Sequence, residues 1–550
     1  MARQRIITAN GGPLFLPEVA RAFFASGRSA LRGPEGKASL GTCVKRALSI
    51  TGWLAVFVLA AWLRFDRLSV RPFHCDEATG ARITAKRLES RDYRFDPAHF
   101  HGPTLSSLGA AVCLLRGENR WSMMEKGTLR WVPAIAGILV AMAPWLGRRR
   151  WGNAPMLLAG ALLATSPLLV YYSRMFIHEM LLVLFGVLVL FAGWGRRGLV
   201  TGILAGLWTG LMFATKESFV ISLAAWGASG LLLCWENREK INPAVLVTVW
   251  REARLPLAAG VLVAAFTSTL FYTDGFRHLE GAWNALRTYF VYQTTEGHEK
   301  GFGYYFALLL WPKKSGGVWW CEALVGFLAV WTYAASFWKG VVSIRWRLPV
   351  RFLAYSAAGH FLIYGLIRYK TPWLICLPWA HVCLLAGFGI AFAWLRGPAW
   401  RWNMGALVAV TLATQVVQAR QAIGRLASDD RNPYAYVPTS QDIEALDPWL
   451  RQIGGSSPGT SLEPIGVIGS GYWPLPWYLG RFEKIGYWPA PPPDLDRLPV
   501  VFAVSESIEA VSAVLSKTHT AVLRGLRSEE PIAVFVRNDL WEHWMSAKSK

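Results

Sequence analysis

The sequence predicts a polytopic α-helical membrane protein: about 11 transmembrane helices, surface-lying helices in the first outer loop, and a small C-terminal α/β domain. Three observations predict it. The 550 residues are 53% hydrophobic and only 17% charged, well below the charged share of soluble domains. Eleven stretches of 16 or more residues contain no Asp, Glu, Lys or Arg: 47–63, 131–147, 152–173, 180–195, 199–215, 218–235, 255–273, 323–338, 352–367, 371–395 and 403–419. Beyond the last of them, short apolar runs bounded by turn residues read as strands around a helix.

A crossing helix needs roughly 17–25 mostly apolar residues, so each stretch spans or falls a turn short of spanning. The first begins only near residue 47 and no small-residue cleavage site follows it, so a cleavable signal peptide is not expected. The formal charge of +22 is dispersed between the stretches and reads as orientation, not nucleic-acid binding. With 1–46 inside, the inner segments 1–46, 147–151, 196–198, 236–254, 339–351 and 396–402 together hold 23 Lys or Arg. The short outer connections 174–179, 216–217 and 368–370 hold 1, 1 and 2. That asymmetry follows the positive-inside rule, placing the N-terminus in the cytoplasm and the C-terminal segment outside an inner (plasma) membrane.

The expected organisation is therefore a cytoplasmic segment 1–46, a transmembrane domain 47–419 with outer loops 64–130 and 274–317, and an extracytoplasmic α/β domain 420–550. Thr104–Leu115 is apolar but too short to cross, and with the helix-like 77–90 it is expected to lie along the outer surface. In the tail, "EPIGVIGSG", "LPVVFAVSES" and "PIAVFVRN" read as strands and "SIEAVSAVLSKT" as a helix, with "GSG" a turn. The aromatic run "GYWPLPWYLGRFEKIGYW" suits either sugar stacking or seating on the membrane interface, the second being favoured. The seven cysteines show no CxxC and no metal-ligand spacing.

Acids and bases concentrate on the outer side. "RPFHCDEATGA" brings His74, Asp76 and Glu77, and "RFDPAHFHGP" brings His99 and His101. "YYSRMFIHEM" adds Arg174, His178 and Glu179, "TKES" adds Lys216, and "RYKTPWL" adds Arg368 and Lys370. Each has an ordinary reading: Asp76 as a helix N-cap worth about 1 kcal/mol, Glu77 as a helix-dipole partner, the histidines as solvated or structural, and Arg368 and Lys370 as interfacial anchors. Convergence on one face is what independent caps and anchors do not produce. The set suits an anionic, membrane-embedded substrate: cations hold a phosphate and a carboxylate takes a proton from an attacking hydroxyl.

In order along the chain, "FHCDEA…YRFDPAHFHGP…YYSR…ATKES…GYYF…KTPWL…NPYAYVPTS…WPLPWYL" resembles the GT-C superfamily of polyprenyl-phosphate-sugar glycosyltransferases. Within it the chain is most similar to the dolichyl-phosphate-mannose–protein mannosyltransferase-like group, in the prokaryotic branch of flippase-activity-associated membrane proteins. The likeness covers most of the chain and weakens over 1–45 and 495–550. It implies transfer of a monosaccharide from a polyprenyl phosphate to an acceptor hydroxyl at the outer face, in one inverting displacement. Carried over residue by residue, Asp76 becomes the base, Glu77 a supporting acid, and Glu179 stands where relatives carry a second acid, often Asp. Arg174, Lys216, Arg368 and Lys370 become ligands of the carrier phosphate, Lys370 foremost, while His74, His99, His101 and His178 support the acceptor side. No cofactor is required by the resemblance; some members of the superfamily use a divalent metal, and the mannosyltransferase-like ones are generally considered metal-independent. The implied partners are the lipid-linked sugar donor, an acceptor glycan, lipid or protein, and the bilayer, with no nucleic acid. The β-trefoil domain of eukaryotic protein mannosyltransferases has no counterpart here. The alternative reading is a lipid-linked-sugar flippase or its accessory, which would need a polar path through spans that carry almost no charge.

Overall fold

A computed structural model describes residues 40–90, 92–98, 101–194, 198–240, 242–291, 297–338, 344–394, 397–457 and 461–549. The expectations for 1–39 and for His99 lie outside these residues.

The apolar stretches all fold as helix. In chain order the helices that matter here are α1 (Leu40–Phe65), α2 (Cys75–Ser90), α3 (Thr104–Arg116), α4 (Lys126–Met142), α5 (Asn153–Thr165), α6 (Pro167–Tyr172) and α7 (Glu179–Gly193). They continue as α8 (Leu199–Phe213), α9 (Phe219–Glu236), α10 (Pro243–Tyr272), α11 (Glu280–Val291), α12 (Ala323–Ala335), α13 (Ile344–Leu366), α14 (Cys376–Gly387) and α15 (Pro398–Ile423). Among the described residues five helical runs are long and apolar enough to cross a membrane alone: Arg46–Phe65, Lys126–Trp151, Phe219–Glu236, Pro243–Tyr272 and Pro372–Ala393. Of the other stretches, some form shorter helices, while α13 and α15 are long but less apolar. The stretch 152–173, for example, divides into α5 and α6 where Pro167 opens a new helix and the Ser166 side chain caps it by accepting the Leu169 N–H.

Packing is closest where side chains are smallest. Gly202 and Gly206 on α8 meet α10 so tightly that a Cβ would fall 2.0 Å from the Pro256 carbonyl oxygen and 2.1 Å from that of Gly260. This is the small-residue contact by which apolar helices associate without a hydrophobic driving force. At the centre, every residue of α14 is buried, as is most of α7. The helices α2 and α3, in the loop between α1 and α4, pack on one another with Phe176 wedged between them: a Cβ on Gly109 would lie 2.7 Å from its ring.

The C-terminal segment builds a mixed sheet after a small hairpin of β1 (Lys313–Ser315) and β2 (Val318–Trp320). Its strands are β3 (Ile465–Ile468), β4 (Ile485–Trp488), β5 (Val500–Val504), β6 (His519–Arg527) and β7 (Glu530–Arg537), in the order β4-β3-β5-β7-β6. The β3 pairings are parallel and the β7 pairings antiparallel. Strands β3 and β5 are buried along their whole length, which is why they read as unbroken apolar runs. The expected strands and helix are present, the helix as Ile508–Leu515, and the "GSG" turn holds Gly469 at φ +107°. Strands β4 and β6 are additions: β4 hides in the aromatic run, and β6, "HTAVLRGLR", carries two arginines that mask its alternation.

Candidate active site

The site begins where the chain leaves α1 and turns through residues 66–74 into α2. Adjacent residues on a helix point about 100° apart, so Asp76 and Glu77 cannot share an environment, and the structure separates them completely. Glu77 is fully buried. Arg130, at the start of α4, grips it as a fork, Nε to Oε1 at 2.7 Å and one terminal nitrogen to Oε2 at 2.8 Å. Arg71 donates at 3.1 Å, the His74 amide at 3.1 Å and the Phe176 amide at 2.9 Å. Burial alone would raise the Glu77 carboxyl; the charges of Arg130 and Arg71 and these hydrogen bonds outweigh it and hold it at about 2. Arg130 spends its remaining donors on the carbonyls of Leu68, Arg71 and Pro72. Glu77 is thus the knot that ties the 68–77 segment to the bundle.

Asp76 faces the other way. Its side chain is 50% exposed and lines a cavity of about 370 Å³. The same cavity is lined by Glu179 at the start of α7 and Lys216 in the turn after α8, joined as an ion pair. Burial would lower the Lys216 ammonium, but the carboxylates of Glu179 and Glu217 raise it, so it stays charged. Beside them His101 Nδ1 lies 2.8 Å from Glu217, whose carboxyl is held at about 2 because His101 and Lys216 outweigh its burial. His178 is lowered well below its usual range, chiefly by burial and then by the His101 and Lys216 charges; its Nε2 is 3.1 Å from the Gly102 carbonyl. Gly102 is there for space, since a Cβ would fall 2.1 Å from the Ala214 carbonyl oxygen. That contact, with the Thr104 hydroxyl on Thr215 at 2.8 Å, docks the first loop on the turn that carries Lys216. Ile221, Tyr364, Ile367, Trp373 and Leu374 complete an apolar flank.

The rim is built by segments far apart in sequence. Residues 298–300 pair with 368–370: the Lys370 amide donates to the His298 carbonyl and the Lys300 amide to that of Arg368, both at 3.0 Å. His298 hydrogen-bonds the Tyr436 hydroxyl, and the His74 Nε2 lies 3.1 Å from the Tyr436 carbonyl. Burial lowers His298, and the Asp76 charge partly opposes it, so this histidine faces the acid. The C-terminal segment also grips the residue before His74: the Tyr478 hydroxyl accepts from the Phe73 amide at 2.8 Å, the Thr439 hydroxyl donates to its carbonyl at 2.9 Å, and Trp477 packs on its ring at 4.2 Å. The aromatic run of the tail therefore seats against the first loop.

The structure brings together Asp76, Glu179, Lys216, His101 and His178 of the residues expected from sequence, with His74 just behind Asp76. Three others sit differently from the expectation. Lys370 is 1% exposed, and its ammonium donates to the carbonyls of Lys300 and Ile367. Arg174 caps α1 by donating to the carbonyls of Leu63, Arg64 and Arg67. Glu77 is locked away, as described. Arg368 is exposed at the rim, and its side chain has no acidic partner among the described residues. Arg130, His298 and Tyr436 were missed by sequence reasoning; a lone arginine at the mouth of an apolar span, which needs a buried acid, is the signal that could have found the first. The ligand atoms of His74, Cys75 and Asp76 lie within 4.8 Å of one another, close enough to hold a metal ion. The lone pair of His74 Nδ1, however, already accepts the Asp76 amide at 3.2 Å, so we assign no metal there.

No protein-family model matches the chain, and no curated protein matches it by sequence. Solved structures match its fold. ArnT from Cupriavidus metallidurans in the apo state superposes with a TM-score of 0.58 at 16% identity, covering 88% of this chain and 98% of that one. The same protein bound to undecaprenyl phosphate gives 0.57 at the same identity and coverage. The archaeal oligosaccharyltransferase AglB from Archaeoglobus fulgidus, in complex with an inhibitory peptide and a dolichol-phosphate, gives 0.50 at 13% identity over 87% of this chain and 73% of that one. The chain shares its fold with these proteins.

Proposed function

We propose that this protein is a polyprenyl-phosphate-sugar-dependent glycosyltransferase that moves a monosaccharide to an acceptor hydroxyl at the extracytoplasmic face, with inversion. One observation carries the reading: a half-exposed carboxylate, Asp76, opens into a cavity also lined by a charged lysine and by an apolar flank. The fold shared with a structure holding undecaprenyl phosphate supports it. Asp76 accepts the proton of the acceptor hydroxyl as its oxygen attacks the anomeric carbon. The bond from that carbon to the phosphate oxygen breaks, and the electron pair leaves with the polyprenyl phosphate. Lys216 and Arg368 balance the charge of the departing phosphate, Glu179 orients Lys216, and the His101–Glu217 and His178 contacts fix the turns that carry them. The carrier's tail leaves over the apolar flank, which continues outward onto the exposed Val220 and Leu366. Lys370 and Arg174 act as clamps of the rim and of α1, and the reading assigns no metal.

The test is donor consumption by the full chain in nanodiscs, supplied with radiolabelled polyprenyl-phosphate monosaccharides and a membrane extract as acceptor source. Label leaving the lipid in a product of opposite anomeric configuration is the expected result. A protein that consumes no donor of the panel overturns the reading.

A further inference from the structure

A second opening of about 570 Å³ runs along α2, lined by Arg82, Ile83 and Lys86. Thr79 lines both it and the Asp76 cavity, so the two adjoin there. Asp76, Thr79, Ile83 and Lys86 recur at helical spacing and share one face of α2. Arg82 and Lys86 therefore lie ~9 and ~15 Å along the axis from Asp76. The opposite wall comes from the C-terminal segment: Trp473 lines the groove, and Tyr487 lies within the electrostatic reach of Arg82.

The charges of this groove are unevenly partnered. Arg94 pairs with Asp92 and Glu280, and Arg87, next to the groove, pairs with Asp274 at 2.6 Å. Glu89 accepts the Trp121 amide at 2.7 Å and Asp96 that of Ala98 at 2.9 Å. Arg82 and Lys86 are exposed and have no acidic partner among the described residues; Arg82 rests only on the Trp121 ring, 5.2 Å away. Two cations with no ion pair among the described residues, beside a partly exposed indole and next to the cavity of a half-exposed carboxylate, form a surface for a ring with a C–H face and a negative charge.

We propose that this groove receives the acceptor, and that the acceptor is a saccharide bearing an anionic group, a phosphate or carboxylate held by Arg82 and Lys86 while Trp473 stacks on a sugar ring. The proposal rests on the transferase reading for the word acceptor, but its binding chemistry is tested without transfer. The donor's lipid and the acceptor then approach Asp76 by separate openings that meet at Thr79, so neither has to leave for the other to enter.

The experiment titrates the full chain, in nanodiscs of neutral lipid, with trigalacturonate, maltose 1-phosphate and neutral maltotriose, read by thermophoresis. Both anionic probes are expected to bind about tenfold tighter than maltotriose, the value of one charge-assisted contact, with the margin narrowing as salt rises. Arg82→Ala with Lys86→Ala removes the preference, the charge-conserving pair Arg82→Lys with Lys86→Arg retains it, and Trp473→Ala weakens all three probes alike. Equal binding of charged and neutral probes, or a preference that survives the double alanine variant, overturns the proposal, as does displacement of the anionic probes by anionic lipid without any saccharide discrimination. Charge-dependent saccharide binding in a protein that consumes no donor would instead overturn the transferase reading and leave the groove standing. Donor turnover with no charge-dependent binding would do the reverse.

Discussion

The two sides of the first turn of α2 show how one fold uses the same chemical group in opposite ways. On the inner side Glu77 receives five donors and no solvent, and its neighbours Arg130 and Arg71 are spent on it and on nearby carbonyls. On the outer side Asp76 has only weak local partners, the His74 ring and the Cys75 thiol, each at 3.8 Å, and it lines the same cavity as a charged lysine. A carboxylate saturated with donors is a structural tie, since neither a proton nor a ligand has room to arrive. A carboxylate left half-exposed at the mouth of a cavity retains the capacity to accept a proton. The first makes the second usable, because the Glu77 knot sets the position of the 68–77 segment that presents Asp76.

The largest effect that would sharpen this contrast is on stability. Glu77→Gln leaves the Arg130 guanidinium buried without its counter-charge, and loss of one partner of such a pair costs about 3–5 kcal/mol. Chemical denaturation in detergent should show this loss; a variant of wild-type stability would break the contrast at its root. Next come the cations of the rim. Arg368→Ala should weaken donor affinity by the value of a charged hydrogen bond, about 1.5–3 kcal/mol. Lys370→Ala should lower the melting temperature instead, because its ammonium is committed to two backbone carbonyls. The reversed pattern, donor affinity falling with Lys370 and not with Arg368, would restore the expectation from sequence.

A third test uses pH. Glu77 and Glu217 are held at about 2, below the 4.5 of a free glutamate. Groups depressed by folding contribute stability that is complete above about pH 4.5 and lost as pH falls toward 2. Glu77→Gln should therefore flatten the acid limb of a stability profile, and an unchanged slope would show that Glu77 titrates as a free acid. The smallest effect concerns the grip of the C-terminal segment: Thr439→Val removes one hydrogen bond to the Phe73 carbonyl and should cost about 1 kcal/mol.

Much of the bundle was legible in the sequence because a charge-free stretch of this length has few other fates, and each one is helix. The tail's central strands were legible for the same reason, being buried along their whole length, whereas β6 was masked by Arg524 and Arg527 on a half-exposed strand. The site was legible as a set of residues on the loops at one end of the spans but not as a geometry. Nothing local distinguishes Asp76 from Glu77; Arg130, more than fifty positions away, decides which acid is buried. Lys370 looked like the phosphate ligand because "RYK" sits at the end of a span, yet its ammonium is held by the Ile367 carbonyl and by that of Lys300, across a pairing no periodicity announces. His298 and Tyr436 escaped for that reason as well, each being ordinary in its own loop and significant only where the loops meet.

The central claim is that Asp76 is chemistry and Glu77 is scaffold. The most direct measurement is the rate of sugar transfer by Asp76→Asn in nanodiscs, taken with its melting temperature. Loss of a general base predicts a rate lower by about 10²–10⁴-fold at an unchanged melting temperature, because the side chain is half-exposed and holds nothing together. Transfer at the wild-type rate, or a rate lost only together with the fold, would contradict the account and leave Asp76 an ordinary acid in the first turn of α2.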